Sequence, residues 1–497
     1  MVLSSSVYFV FLVGIFLLYW PLSRWRAAGL AVLLFANYFF YAKWDLFYLL
    51  LIPGASFIDY LIGLGLGAGL QRPAAGPSAA PTGALAPLSP AWFQQLATRA
   101  WFRRLLLSCS LVLNLGILAC FKYMPFFLST WSGATGHKAP AWHWTFPLGI
   151  SFYCFQALSY TIDLYRRDGK PVRSLLTYLT AVSFFPTTLA GPITRPLALA
   201  PQLEKPGKRL ALEDSGRALF RIALGLLKKF LIADYLAENL VNRVFDTPGL
   251  YTGMETFIAV WAFAFQIYYD FSGYTDLAIG SAMLLGIKLP ENFNRPYIAL
   301  NISEFWRRWH ITLSNWLRDY VYFSLPGLRS KWKIFTYINL IVTMVLGGLW
   351  HGPSWNFVAW GALHGVALAA HHGFRAARGN PKPSADFWIR FLSRLLTANY
   401  VAFCWIFFRA TSFENAGAVL GRIASLTVSF ANISPALLTV LGVAALGQFS
   451  PRGWYDFSMR QFVRVPFYAQ AAAVALLVLA IQYVAMTGAA PFIYTKF

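Results

Sequence analysis

Charge is what this sequence has least of. Of 497 residues, 12% are charged, about half the share that soluble domains carry. Such a deficit excludes a chain that meets water over most of its surface. Cysteine is scarce as well. Cys109, Cys120, Cys154 and Cys404 each sit in an apolar run, with no CxxC pair. That excludes a disulfide framework and a thiolate metal site, and leaves four buried small hydrophobes. Zinc would need closely grouped ligands, yet His310 and His351 lie 41 apart (351 − 310), so no metal is expected. A phosphate-binding GxxxxGK[ST] loop and a GxSxG elbow are both missing, which argues against a nucleotide pump and a serine hydrolase. The N-terminus lacks a basic leader and a small-residue cleavage site, so a retained first helix is expected there.

What is present is apolar. Hydrophobic residues make up 58% and mean hydropathy is +0.53. Apolar runs recur at 7–20, 28–51, 105–121, 333–349 and 468–485. A bilayer core takes about 20 apolar residues per helix, and lipid forces backbone groups to bond internally. The fold class is therefore an all-α polytopic integral membrane protein, with roughly 11 to 13 transmembrane or re-entrant helices by hydropathy. The net charge of +22 is read as topology and lipid contact rather than nucleic-acid binding. Clusters such as Arg99/Arg103/Arg104, Arg166/Arg167/Lys170/Arg173 and Arg375/Arg378/Lys382 fall between apolar runs, where cytoplasmic loops collect lysine and arginine. Along the chain, N-terminal helices (1–70) precede an Ala/Pro/Gly-rich loop (71–98) that can build no core. A polar-rich core (99–373) and C-terminal helices (374–497) follow, all read as one membrane domain. Residues 214–240 read as an amphipathic helix whose Leu/Ile face is interrupted by Lys228 and Lys229.

Between 252 and 373 polar groups enter the apolar background: YYDFSGYTDLAIG (268–280), ENFNRPYIALN (291–301), SEFWRRWHITLSNWLRDY (303–320) and LGGLWHGPSWNFVAWGALHG (346–365). Ionisable groups in membrane segments are costly and by default mark a site. Read as a helix, 303–320 places Arg307, His310, Ser314 and Leu317 on one face and pairs Glu304 with Arg308 four residues on; an interfacial helix is the competing reading. His351 sits in GGLWHGP, where glycine weakens and proline breaks a helix. A broken helix at membrane depth lines a cavity or is buried in protein, and a neutral imidazole there suits general-base work. His364, in AWGALHG, reads as structural. His137, His143, His371 and His372 lie in a loop or near the interface.

These stretches, with PLGISFYCFQALSYTIDLYR (147–166), FFPTTLAGPITR (184–195) and PFIYTKF at the end, resemble the membrane-bound O-acyltransferase family over almost the whole chain, and within it the bacterial members that acetylate polysaccharide. The resemblance implies a ring of helices around a central funnel or tunnel. It implies that His351 is catalytic, with His310 the second site residue. It further implies a cytoplasmic acyl thioester such as acetyl-CoA as donor substrate, with no bound cofactor. The acceptor would be an extracytoplasmic, alginate-like polysaccharide, reached directly or through an SGNH-hydrolase-like partner, and the location the bacterial inner membrane. A homodimer is left open, and nucleic acid is not expected. Arg307, Arg308 and Arg318, with Lys331 and Lys333, are candidates for donor phosphates. Asn315 or tryptophan indoles are candidates for an oxyanion, and Trp350, Asp270 and Asn292 for further substrate contacts. Two other functions stay open: D-alanyl or other acyl transfer to a cell-wall polymer, and a polysaccharide transporter without chemistry.

Overall fold

A computed structural model describes residues 3–42, 46–68, 91–142, 149–205, 210–326, 332–379 and 384–485. Of the Ala/Pro/Gly-rich loop expected at 71–98, residues 71–90 lie outside the described residues, as do His143, Lys208, Arg209, Lys331, Lys382 and the terminal PFIYTKF, whereas Ala91–Thr98 is a short helix rather than loop. Every element among those described is helical. Two compact units are distinguished, one built on residues 10–209 with 285–288, the other on 2–9, 210–284 and 289–497.

In the first unit, helices Leu46–Ala68, Ala100–Leu118 and Ile150–Arg166 pack around a buried carboxylate. Asp59 accepts from Ser110 Oγ at 2.6 Å and Asn114 Nδ2 at 2.8 Å, and Ser110 also lies 2.9 Å from the Thr161 hydroxyl. A carboxylate in an apolar interior is tolerated only when bonded in this way. Arg103 closes two helix ends, donating to the carbonyls of Leu66 (2.6 Å), Leu164 (3.1 Å) and Tyr165 (2.9 Å), which belong to last helical turns, where the regular helical bonds run out.

The second unit holds the polar stretches. Helix Leu212–Leu227 continues into wider π turns at Lys228–Asp234 and Ala237–Val241. It packs against the 32-residue helix Gly253–Leu284. Their backbones approach closely at two glycines: a Cβ on Gly225 would lie 2.7 Å from Gly273 O. Lys228 and Lys229, expected to break an apolar face, turn inward to acids. Lys228 Nζ meets Asp276 at 2.6 Å, and Lys229 Nζ meets Asp234 at 2.7 Å and Asp270 at 2.9 Å. Arg221 joins Asp276 at 2.8 Å and also pairs with Glu291.

Helices Ile334–His351 and Trp355–Ala377 form a tight pair. A Cβ at Gly348 would strike Phe357 O, one at Gly361 would strike Met344 O, and one at Gly365 would sit 2.7 Å from Ile341 Cα. Small residues let helices approach in this way where no water drives them together. Gly347 and Gly348 of GGLWHG thus lie inside a continuous helix, and Gly348 serves packing. The break comes at Gly352, whose backbone is extended, and Ser354 Oγ caps the next helix by accepting from Asn356 N–H at 3.2 Å.

Four described helical stretches are long and apolar enough to cross a bilayer: Leu50–Ala68, Ala100–Thr135, Ile334–His351 and Phe387–Arg409. Arg452–Arg464 with Phe467–Ile481, bent by 114°, makes a fifth if taken as one broken span. The larger number expected from hydropathy included shorter apolar helices, Ser6–Leu22, Arg26–Ala42 and Pro435–Phe449. It also included helices such as Gly253–Leu284, where buried acids lower the apolar average.

Candidate active site

The site begins at a break between two short helices rather than on one helix. Residues 303–320 do not form one helix: Ile302–Trp306 and Ile311–Trp316 are separate, and His310 stands between them in the left-handed region (φ 39°, ψ 56°). That conformation costs a non-glycine residue about 1–2 kcal/mol. The ENFN stretch holds it there. Asn294 N–H donates to Arg308 O and Ile311 N–H to Asn292 O, both at 2.9 Å. The fully buried Asn292 side chain completes the clamp. Its Oδ1 takes the Thr312 N–H at 3.2 Å and the Thr312 hydroxyl at 2.9 Å, and lies 3.0 Å from His310 Nδ1. An oxygen that already accepts two donors fixes the tautomer: Nδ1 carries the proton and Nε2 keeps its lone pair. Nε2 is buried and has no hydrogen-bond partner among the described residues, and neither has Asn292 Nδ2. The expected common face of Arg307, His310, Ser314 and Leu317 is therefore not formed.

The two histidines singled out by the sequence come together through one ring. Trp350 lies 6.1 Å from His310 and 5.0 Å from His351, centroid to centroid. His310 also stands edge-on to Phe271 at 4.7 Å. His351 ends its helix, 4% exposed, edge-on to Trp360 at 5.2 Å and Phe408 at 5.1 Å. The aromatic wall continues to His364, 4.9 Å from Trp360 and 5.1 Å from Trp306.

The arginines divide. Arg308 is bound to Glu304 Oε1 through Nε (2.9 Å) and Nη2 (2.7 Å), as the four-residue spacing suggested, and its Nη1 donates to Asn294 O at 3.1 Å. Glu304 lies outside the four apolar spans. Burial alone would raise its carboxyl, but the Leu300 N–H and the Arg308 guanidinium outweigh burial and hold it below the usual carboxylate range. Arg318 is exposed and pairs with Asp319 at 2.8 Å. Arg307 is exposed at the break itself, and Lys333 is exposed at a helix start. Asn315 is half-buried on Ile311–Trp316. Asp270 is held by Lys229 and belongs to the charge pairs of the long helix, although its neighbour Phe271 touches His310. Sequence reasoning missed Thr312 and Trp360. The Trp360/His364 spacing of four, which puts both on one helix face, was the available signal for the second.

A family model, that of the membrane-bound O-acyltransferases, matches residues 100–413. The chain belongs to the membrane-bound O-acyltransferase family. It is accordingly a multi-pass, all-helical membrane protein and an O-acyltransferase. Among its relatives, the probable alginate O-acetylase of Pseudomonas syringae pv. tomato is 37% identical over 451 residues, 90% of this chain and 80% of the relative. The peptidoglycan O-acetyltransferase of Helicobacter pylori is 34% identical over 428 residues, covering 81% of this chain and 75% of the relative. The teichoic acid D-alanyltransferase of Bacillus subtilis is 30% identical over 281 residues, 54% of this chain and 70% of the relative. All the residues of the aromatic wall described above fall within the family match.

Proposed function

We propose that this O-acyltransferase moves an acetyl group from a cytoplasmic thioester, acetyl-CoA or a similar donor, to a hydroxyl of an alginate-like polysaccharide outside the bacterial inner membrane, directly or through an SGNH-type partner. Acetyl rather than alanyl transfer is supported by coverage: the acetylating relatives match 81–90% of this chain, the alanyl-transferring one 54%. A transporter without chemistry is disfavoured because it leaves two buried histidines unused.

The observation that carries the reading is the pair His310 and His351, buried, with their rings joined through Trp350. His351 takes the proton of the acceptor hydroxyl as its oxygen attacks the thioester carbonyl. The tetrahedral intermediate collapses, the C–S bond breaks, and the thiolate leaves and is protonated. General-base help of this kind contributes about 10²–10⁴-fold, and a dry chamber protects the thioester from water. His310 orients the donor or assists the departing thiolate. One observation favours a second assignment, with His310 as the base: its Nδ1 is anchored on Asn292 and its Nε2 has no partner among the described residues. Base and orienter in that relation recur in general-base catalysis. Arg307 is the arginine retained for donor phosphates, since Arg308 and Arg318 already bind carboxylates.

The test is acetyl transfer from labelled acetyl-CoA to alginate oligosaccharide by the full chain in membrane vesicles. His351→Ala is expected to insert, fold and be inactive. Wild-type turnover by that variant would remove His351 from the reaction. If His310→Ala alone abolished transfer, the base would be His310.

A further inference from the structure

His364 is an imidazole with no hydrogen-bond partner among the described residues. It is 0% exposed, on helix Trp355–Ala377, enclosed by Phe305, Trp306, Trp360, Tyr400 and Trp405. Neither Nδ1 nor Nε2 has a hydrogen-bond partner among the described residues. The same holds for the buried indole Nε1 of Trp306 and of Trp360, the two rings nearest the imidazole. Burying a polar group unpaired is costly, and native folds seldom leave several side by side. The neighbouring Trp405 shows the ordinary arrangement: fully buried in the same wall, its Nε1 donates to the Tyr297 hydroxyl at 3.1 Å, which donates in turn to Ala264 O at 2.6 Å. Three adjacent rings thus carry nitrogen groups within one apolar wall, none with a hydrogen-bond partner among the described residues. Trp360 is also the ring against which His351 stands.

We infer that His364, with the indole N–H groups of Trp306 and Trp360, binds the carbonyl oxygen of the transferred acyl group as it takes up negative charge. The inference rests on the transferase reading above and adds a third histidine to it, one that sequence reasoning assigned to structure. The chemistry matches the group. An indole can only donate, an imidazole donates from one nitrogen, and a developing oxyanion needs donors that are already in place and shielded from water.

The experiment compares His364→Phe, His364→Gln and Trp360→Phe with wild type and His351→Ala, using the full chain in vesicles with labelled acetyl-CoA and alginate oligosaccharide, and melting temperatures of the same proteins in detergent. Removing one oxyanion donor lowers kcat by about 10²–10³-fold. His364→Phe is therefore expected to lose about 10²-fold in kcat, with KM for acetyl-CoA nearly unchanged and a melting temperature equal to or above wild type, because an unpaired polar group has been replaced by a ring. His364→Gln, which restores a donor, is expected to recover part of kcat. A structural histidine would behave oppositely, with activity falling only in step with folded protein. That result, or unchanged kcat in His364→Phe beside an inactive His351→Ala, overturns the inference alone. No transfer by wild type overturns the transferase reading and the inference with it.

Discussion

Replacing Asn292 by alanine removes one oxygen that holds three donors: His310 Nδ1, the Thr312 N–H and the Thr312 hydroxyl. Asn292 is fully buried, so no solvent replaces it. At a net of about 0.5–1.5 kcal/mol per hydrogen bond, with the stranded donors adding their desolvation, the loss is on the order of 3 kcal/mol. Thr312→Val gives the control, since it deletes one of the three bonds and about 1 kcal/mol while leaving His310 anchored. Catalysis separates the two variants further. His310 sits in a left-handed conformation that the clamp sustains, and under the proposed mechanism releasing it displaces a reacting group, where about 1 Å costs roughly 10²-fold. Asn292→Ala is expected to melt well below wild type and to lose about 10²-fold in turnover per folded molecule, whereas Thr312→Val stays within a few-fold. Acetyl transfer in vesicles, normalised to folded protein by fluorescence-detected size exclusion, reads both. Equal loss in the two variants, or wild-type turnover in Asn292→Ala, would refute the claim that the clamp positions His310 for chemistry.

Three other outcomes are expected. Arg307→Ala should raise KM for acetyl-CoA several-fold with kcat kept, while Arg308→Ala and Arg318→Ala should not; initial-rate kinetics on the three variants check this. Lys229→Met leaves Asp234 and Asp270 buried without their cation, a change that costs about 3–5 kcal/mol, so monodisperse protein after detergent extraction should fall sharply; an unchanged melting temperature would contradict the pairing. Glu304 has its folded-state value depressed by the Leu300 N–H and Arg308, against burial, so its contribution is present above the unfolded value of about 4.3 and is lost as pH falls through the folded one. Melting temperature from about pH 6 to pH 3 should therefore drop more steeply for wild type than for Glu304→Gln.

The membrane class was legible, and the two histidines stood out as candidates, because those signals are local. Long apolar runs announce helices in lipid, and Gly352-Pro353 announces the stop at which His351 ends its helix. What was hidden depends on partners far along the chain. The stretch 303–320 has helical spacing throughout and no glycine, yet it breaks because Asn292 and Asn294 bond the backbone at 308–311. No local pattern in 303–320 could have shown that. Asp270 read as a site residue because an acid among apolar residues is costly. The cost is met instead by Lys229, 41 residues earlier (270 − 229), turned inward by a π turn. Gly347 and Gly348 pointed to a weakened helix, but Gly348 lets two backbones meet. A glycine's two uses, bending and close approach, cannot be separated without the facing helix.

Charge and neutral polarity are distributed differently in this unit, and the difference follows from their costs. An unpaired buried charge is penalised far more heavily than an unpaired neutral group. Arg221, Lys228 and Lys229 accordingly lie against Asp234, Asp270, Asp276 and Glu291, where they join Leu212–Asp234 to the long helix. The groups of the aromatic wall without a hydrogen-bond partner among the described residues are neutral polar ones: His310 Nε2, the His364 ring and the indoles of Trp306 and Trp360. Each costs the fold about 1–3 kcal/mol, an amount a stable scaffold can carry. Acyl transfer from a thioester asks for this kind of group, a proton acceptor and fixed N–H donors in a site without water, because a permanent charge beside the carbonyl would bind its own counter-ion or water before substrate arrived. The paired charges hold the helices, and the nitrogens without partners among the described residues are the groups the proposed transfer would use.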